Sequence, residues 1–218
     1  MEQKTKFTPL YLLSALYIIS VYAFLPVWFW MNKDAAAATS QADYSETAVN
    51  FPLAIPFVLG VVNLLAVLIL SKRTTREQML NCALAIKYAL IPVFIAGGLC
   101  IVLAILMMFT PVVIMVFVGP MLAFVLTVAG WLIMAGAAPY SIAYLVKASR
   151  EGIHHKALCI VAGILQFVFT ADVISLMVLA LKEKKWVKAT IVLLGLIVLA
   201  VLGVIGLIVF AILRAILT

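Results

Sequence analysis

The stretch that decides the fold runs from Tyr88 to Val146: YALIPVFIAGGLCIVLAILMMFTPVVIMVFVGPMLAFVLTVAGWLIMAGAAPYSIAYLV. Its 59 residues contain no Asp, Glu, Lys, Arg or His. A bilayer core is about 30 Å thick and takes roughly 20 apolar residues per helix. The stretch therefore holds two membrane crossings, with a natural break at Thr110-Pro111. In hydrocarbon only a helix satisfies every backbone group within its own segment, so both crossings are read as helices.

Working outward, four more apolar runs appear, giving spans at approximately 8–31, 51–71, 79–109, 112–148, 157–181 and 189–213. The expected fold is an all-α integral membrane protein: one domain over residues 1–218, a polytopic bundle of about six transmembrane helices. Helices three and four form a long antiparallel hairpin. The first run also resembles a secretory signal, with Lys4 and Lys6 ahead of it and Ser40-Gln41-Ala42 like a cleavage site. Its apolar stretch is longer than the 7–15 residues of a signal core, and it is read as a retained helix. Trp28 and Trp30 then anchor it at the interface.

Composition agrees. Of 218 residues, 67% are hydrophobic and 11% charged, against about half and a quarter in soluble domains. The net charge of +7 falls in short segments between apolar runs. That distribution fits helix orientation and contact with anionic lipid, and the expected partner is membrane lipid rather than nucleic acid. Cys82, Cys100 and Cys159 form no CxxC spacing and are read as free thiols.

Charge also orients the chain. The polar loop 32–50 carries one Lys against Asp34, Asp43 and Glu46, which fits the outer side, with the amino terminus cytoplasmic. Lys72-Arg73-Thr74-Thr75-Arg76 and the segment 147–156 fit the inside. Lys182, Lys184, Lys185 and Lys188 do not: six spans put ten Lys and Arg inside and five outside. A re-entrant run at 157–181 would give thirteen to two, but that run has no Gly or Pro after Gly163 to make the turn. Six spans are kept, and the bacterial plasma membrane is the expected location.

Small residues suggest how helices three and four pack. Gly119, Ala123, Gly130, Ala137, Ser141 and Ala148 fall on one stripe of helix four. Asn81, Ala85, Ala89, Ala96 and Cys100 fall on one stripe of helix three. Small residues permit close backbone approach in lipid, so the two stripes are expected to meet.

Four polar residues are candidates at depth: Asp172, Gln166, Asn63 and Ser175. A charge at the bilayer centre costs about 2.5–3.5 kcal/mol on insertion scales. Asp172 therefore takes up a proton or faces a polar partner. Depth counting puts Lys87 and Lys182 near the interfaces, so no base is expected beside it. Asn63 and Gln166 fall at similar depth, and an amide hydrogen bond between them is expected. His154, His155 and Cys159 cluster at the inner end of helix five, a weak metal-ligand set because a site needs three or four ligands.

No catalytic or cofactor motif is present: no HExxH, no GxSxG, no Walker loop and no filter-like TVGYG. No catalytic residue and no cofactor is assigned. Three functions stay open. The first in order is an accessory or interaction subunit of a membrane complex, partnered by other membrane subunits or by itself. The second is a small proton- or cation-linked transporter or channel with Asn63, Gln166 and Asp172 near the midplane. The third is a lipid-active enzyme around His154, His155 and Glu151.

Overall fold

A computed structural model describes residues 9–37, 46–109, 111–199 and 202–203. The described residues are all helical apart from turns. Helix α1 is Pro9–Ala37, α2 is Glu46–Leu70, α3 is Arg76–Leu106 and α4 is Met115–Arg150. Then come α5 at Lys156–Leu165, α6 at Ala171–Lys182 and an apolar helix α7 at Val187–Leu199. Three stretches are long and apolar enough to cross a membrane: Ala54–Arg73, Arg76–Phe109 and Met115–Arg150. These support a membrane-associated helical protein.

Local chemistry sets the ends of α3. The Thr75 side chain accepts from the Gln78 amide, and the Gln78 side chain accepts from the Thr75 amide, 3.3 and 3.0 Å respectively. This capping box starts the helix eleven residues before Lys87. At 1.5 Å per residue Lys87 lies about 17 Å along the axis. At the far end a 3₁₀ turn at Met107–Phe109 leads into the hairpin. Helix α4 closes at Glu151, and Gly152 takes φ +69° to turn the chain toward α5.

The chain divides into two compact units, residues 1–175 and 176–218. In the first, α4 packs against α3, α2 and α5, and α1 packs against α2 and α3. The core lies toward the start of α3 and the end of α4. Met79, Leu80, Leu84, Ile86 and Leu90 are buried there with Met134, Tyr140 and Tyr144. The far half of the hairpin is exposed and apolar, including Leu99, Phe109, Val113, Phe117, Met121 and Phe124. Lipid tails are as apolar as these side chains, so close packing rather than exclusion from water joins the helices.

Two glycine contacts fix the closest approaches. A Cβ on Gly136 would fall 2.6 Å from the Tyr17 hydroxyl and 2.9 Å from the Gly60 Cα. A Cβ on Gly119 would run into the Ala104 carbonyl oxygen. In α4, Ala123, Ala137, Ser141 and Ala148 are buried with Gly119, and Gly130 is half-buried. The α3 stripe is a correction: Ala96 and Cys100 are exposed, and Asn81, Ala85 and Ala89 are half-buried. The packed face of α3 instead carries Cys82, Ala83, Ile86, Lys87 and Leu90. Small size alone cannot say which of two faces a helix turns inward.

The fifth apolar run is not one helix. It breaks after Leu165 and resumes at Ala171, with Thr170 at φ +69°. A left-handed Thr is a strained conformation, which is why a run without Gly or Pro after Gly163 did not reveal the turn. The loop at 32–50 is also shorter than its charge suggested: α1 continues to Ala37 and α2 begins at Glu46. Ala35, Ala36 and Ala37 are strong helix formers and extend α1 past Asp34. The side chains of Trp28 and Trp30, and the sixth span beyond residue 203, lie outside the described residues.

The second unit holds the end of α6 and α7. Between them Lys184 and Trp186 take positive φ of 54° and 52°, and Thr190 donates to the Trp186 carbonyl at 3.0 Å.

Candidate functional site

The break in the fifth run gathers buried polar side chains. Asp172 sits in the first turn of α6, just past the break. Lys87 lies on the packed face of α3, one helical turn from Ala83 and from Leu90. The Lys87 ammonium donates to Asp172 Oδ2, and the two side chains are 1% and 2% exposed. The Val173 amide donates to the other carboxylate oxygen, Oδ1, at 2.7 Å. Both carboxylate oxygens are thus engaged.

Lys87 corrects the expectation that no base sits beside Asp172. Depth counted from the charge-free run that starts at Tyr88 puts Lys87 at the inner interface, whereas α3 carries it about 17 Å past its capped start. The signal that finds it is the capping box at Thr75, which puts Lys87 three turns inside α3. A lone base in the middle of a capped apolar helix calls for a buried acid, and Asp172 is the sole acid within the apolar runs.

Gln166 and Ser175 join the same point. Gln166 Nε2 donates to the Ala162 carbonyl at 3.3 Å, the Asp172 carbonyl at 3.4 Å and Ser175 Oγ at 3.2 Å. Ser175 Oγ in turn donates to the Asp172 carbonyl at 3.0 Å. The Gln166 side-chain oxygen is buried and has no hydrogen-bond partner among the described residues. The break is held from both sides by aromatic contacts. Phe169 meets Phe94 of α3 edge-on at 6.1 Å, and Trp131 of α4 donates to the Phe167 carbonyl at 3.3 Å.

Asn63 belongs to a different contact. It accepts from the Tyr140 hydroxyl at 3.0 Å and donates to the Gly136 carbonyl at 3.4 Å. The expected Asn63–Gln166 bond is therefore not formed: each amide is engaged elsewhere. Equal depth brings two side chains together only when their helix faces also meet. Ser141 Oγ is buried and has no partner among the described residues.

At the other end of α4, Arg76 pairs with Glu151 at 2.9 Å and Lys147 donates to the Thr74 carbonyl. His154 and the Tyr144 hydroxyl lie 3.2 Å apart, and His155 caps α5 by accepting from the Ala157 amide at 3.4 Å. Cys159 is buried. No group of three His, Cys, Asp or Glu converges among the described residues, so the weak metal set is not brought together.

Energetically the pair is the costly feature. Two charges removed from water lose several kcal/mol of hydration each, and mutual attraction recovers this only with good geometry and further hydrogen bonds. Replacement of a buried ion pair by well-packed hydrophobic residues of similar volume is often neutral or stabilising.

One comparison with known proteins is positive: the model of a family of unknown function, DUF6652, matches residues 7–185. No curated protein and no solved structure matches the chain.

Proposed function

We propose that this chain, which belongs to the DUF6652 family of unknown function, moves protons or small cations across a membrane, with the Lys87–Asp172 pair as its working centre. The observation that carries this reading is the place of the pair: a buried acid and base meet where an apolar helix is interrupted. Ionisable groups inside membrane segments mark ion and proton paths. Interrupted helices are where membrane transporters bind ions, because helix ends there present unpaired backbone groups.

The bundle has six crossings in this reading, with α5 and α6 forming one discontinuous crossing. Their 10 and 12 residues are each about half a bilayer long, roughly 15 and 18 Å. The amino terminus is cytoplasmic, supported by the basic groups Lys72, Arg73, Lys147 and Arg150 at one end of the hairpin. The short connections fit a bacterial plasma membrane.

The test is proton flux in vesicles containing the purified chain and an internal pH dye, under an imposed membrane potential. Wild type is expected to exceed empty vesicles by about tenfold, a difference of roughly 1.4 kcal/mol in barrier. Asp172→Asn is expected to fall to the empty-vesicle rate. Flux equal to empty vesicles under every imposed gradient overturns the reading.

A second reading, an accessory or self-associating subunit, rests on exposed small residues of α3. Ala96, Gly98 and Cys100 are exposed, and added Cβ atoms at Gly97 and Gly98 would meet nothing within 4 Å. Small residues on a lipid-facing side allow another helix to approach closely. The enzyme reading is weakened because Glu151 is paired with Arg76 and both histidines are engaged locally.

A further inference from the structure

We propose that the charged end of the α3–α4 hairpin holds the headgroup of one anionic phospholipid, gripped between the α2–α3 and α4–α5 connections. The site lies about 17 Å along α3 from Lys87 and does not depend on the transport reading.

The first observation is that two contacts bring these connections together. Arg76, the first residue of α3, pairs with Glu151, the residue that closes α4, at 2.9 Å. The Lys147 ammonium donates to the Thr74 carbonyl. The chain is also drawn tight after α4, where the Ile153 and His154 amides both donate to the Ala148 carbonyl, at 3.0 and 3.5 Å. Residues 71–77 and 147–156 are thereby neighbours.

The second observation is the charge left over. These two segments carry six Lys and Arg against Glu77 and Glu151, a net charge of +4. Glu151 is taken by Arg76, and the carbonyl that receives Lys147 does not cancel its charge. Lys72, Arg73, Arg150 and Lys156 are exposed and form no ion pair among the described residues. Two of these cations stand on one connection and two on the other. Like charges gathered at one junction repel, and an anion among them relieves the repulsion.

The third observation makes that anion part of a lipid. The cations stand at a border with apolar surface. Leu68 and Ile69, in the last turn of α2, are 63% and 73% exposed just ahead of Lys72 and Arg73. Val146 and Ile153, each 44% exposed, bracket Arg150. A soluble phosphate leaves this apolar surface uncovered. A phospholipid sets its phosphodiester among the cations and lays its acyl chains along the neighbouring Leu, Ile and Val side chains. Arg presents a planar fork of N–H donors that matches two phosphate oxygens. Arg73 and Arg150, one from each connection, are therefore the principal contacts, and Lys72 and Lys156 add charge. This is more specific than the attraction of scattered basic groups to an anionic surface, because one junction makes one site.

The experiment titrates the full chain, purified in detergent, with phosphatidylglycerol or phosphatidylcholine and counts bound lipid by native mass spectrometry. Wild type is expected to retain one phosphatidylglycerol per chain, about tenfold more tightly than phosphatidylcholine, or about 1.4 kcal/mol. The double variant Arg73→Gln, Arg150→Gln is expected to lose the preference. Lys184→Gln, Lys188→Gln removes the same charge from exposed positions of the second unit and is expected to keep it. Equal binding of the two lipids by wild type overturns the proposal, and that measurement needs no variant. An undiminished preference in Arg73→Gln, Arg150→Gln overturns the assigned contacts. An equal loss in the two double variants means that net charge rather than this junction attracts the lipid, and overturns the site. Displacement of phosphatidylglycerol by millimolar inorganic phosphate would make a soluble anion the ligand and overturn the lipid assignment, whereas retention supports it.

Discussion

Lys87 and Asp172 are 85 residues apart in the chain and form an ion pair from which water is almost wholly excluded, at 1% and 2% side-chain exposure. Single and double substitutions separate its structural and functional parts. Lys87→Met or Asp172→Leu alone leaves one buried charge without its counter-ion and is expected to cost about 3–5 kcal/mol. The double variant Lys87→Met, Asp172→Leu is expected to recover most of that loss while proton flux stays at background. Thermal unfolding in detergent, run as a double-mutant cycle, checks the first part. A double variant with full flux would remove the pair from the mechanism.

Glycine substitutions are expected to differ sharply by position. Gly136→Val drives a side chain into Tyr17 and the Gly60 backbone and should destabilise the bundle by about 1–3 kcal/mol. Gly98→Ala meets nothing and should be neutral, or stabilising by up to about 1 kcal/mol. Unfolding midpoints of the two variants in one detergent give the comparison. Equal effects would mean that α4 does not approach α2 at Gly136.

Thr170 holds the turn between α5 and α6 at φ +69°. Glycine removes the Cβ clash, so Thr170→Gly is expected to stabilise the folded state by about 1 kcal/mol, less its greater unfolded-state entropy. Thr170→Pro cannot adopt this φ and should destabilise. If both variants unfold with wild type, the chain does not turn at Thr170.

Topology is tested at the second loop of positive φ. In a six-crossing chain, Lys184→Cys is expected to react with a membrane-impermeant thiol reagent added outside intact cells, in a background lacking Cys100. Labelling only after the cells are opened would instead mean that residues 157–181 enter and leave on the cytoplasmic side.

Much of the architecture was readable from charge and apolar spacing. The long α3–α4 hairpin, its turn at residues 111–114 and the small-residue face of α4 follow from hydrocarbon thickness and helical periodicity. Asp172 and Gln166 stood out because polar side chains are rare in apolar runs. What escaped the sequence depended on three dimensions. Lys87 lay one residue outside an apolar run, and only its distance from the Thr75 cap revealed its depth. The break before Ala171 used a strained Thr instead of Gly or Pro, so no breaker residue marked it. Asn63 shared a depth with Gln166 but not a helix face.

The separation of Lys87 from Asp172 also shapes how the protein is made. Lys87 emerges from the ribosome 85 residues before its counter-ion, which at roughly 5–20 residues per second is about 4–17 s. During that interval α3 carries an uncompensated ammonium, a handicap of about 2.5–3.5 kcal/mol for entering lipid at the helix centre. Its many Leu, Ile and Val residues offset the handicap until the carboxylate arrives. An interrupted translation product ending before the fifth apolar run lacks Asp172, so its Lys87 has no such counter-ion to meet.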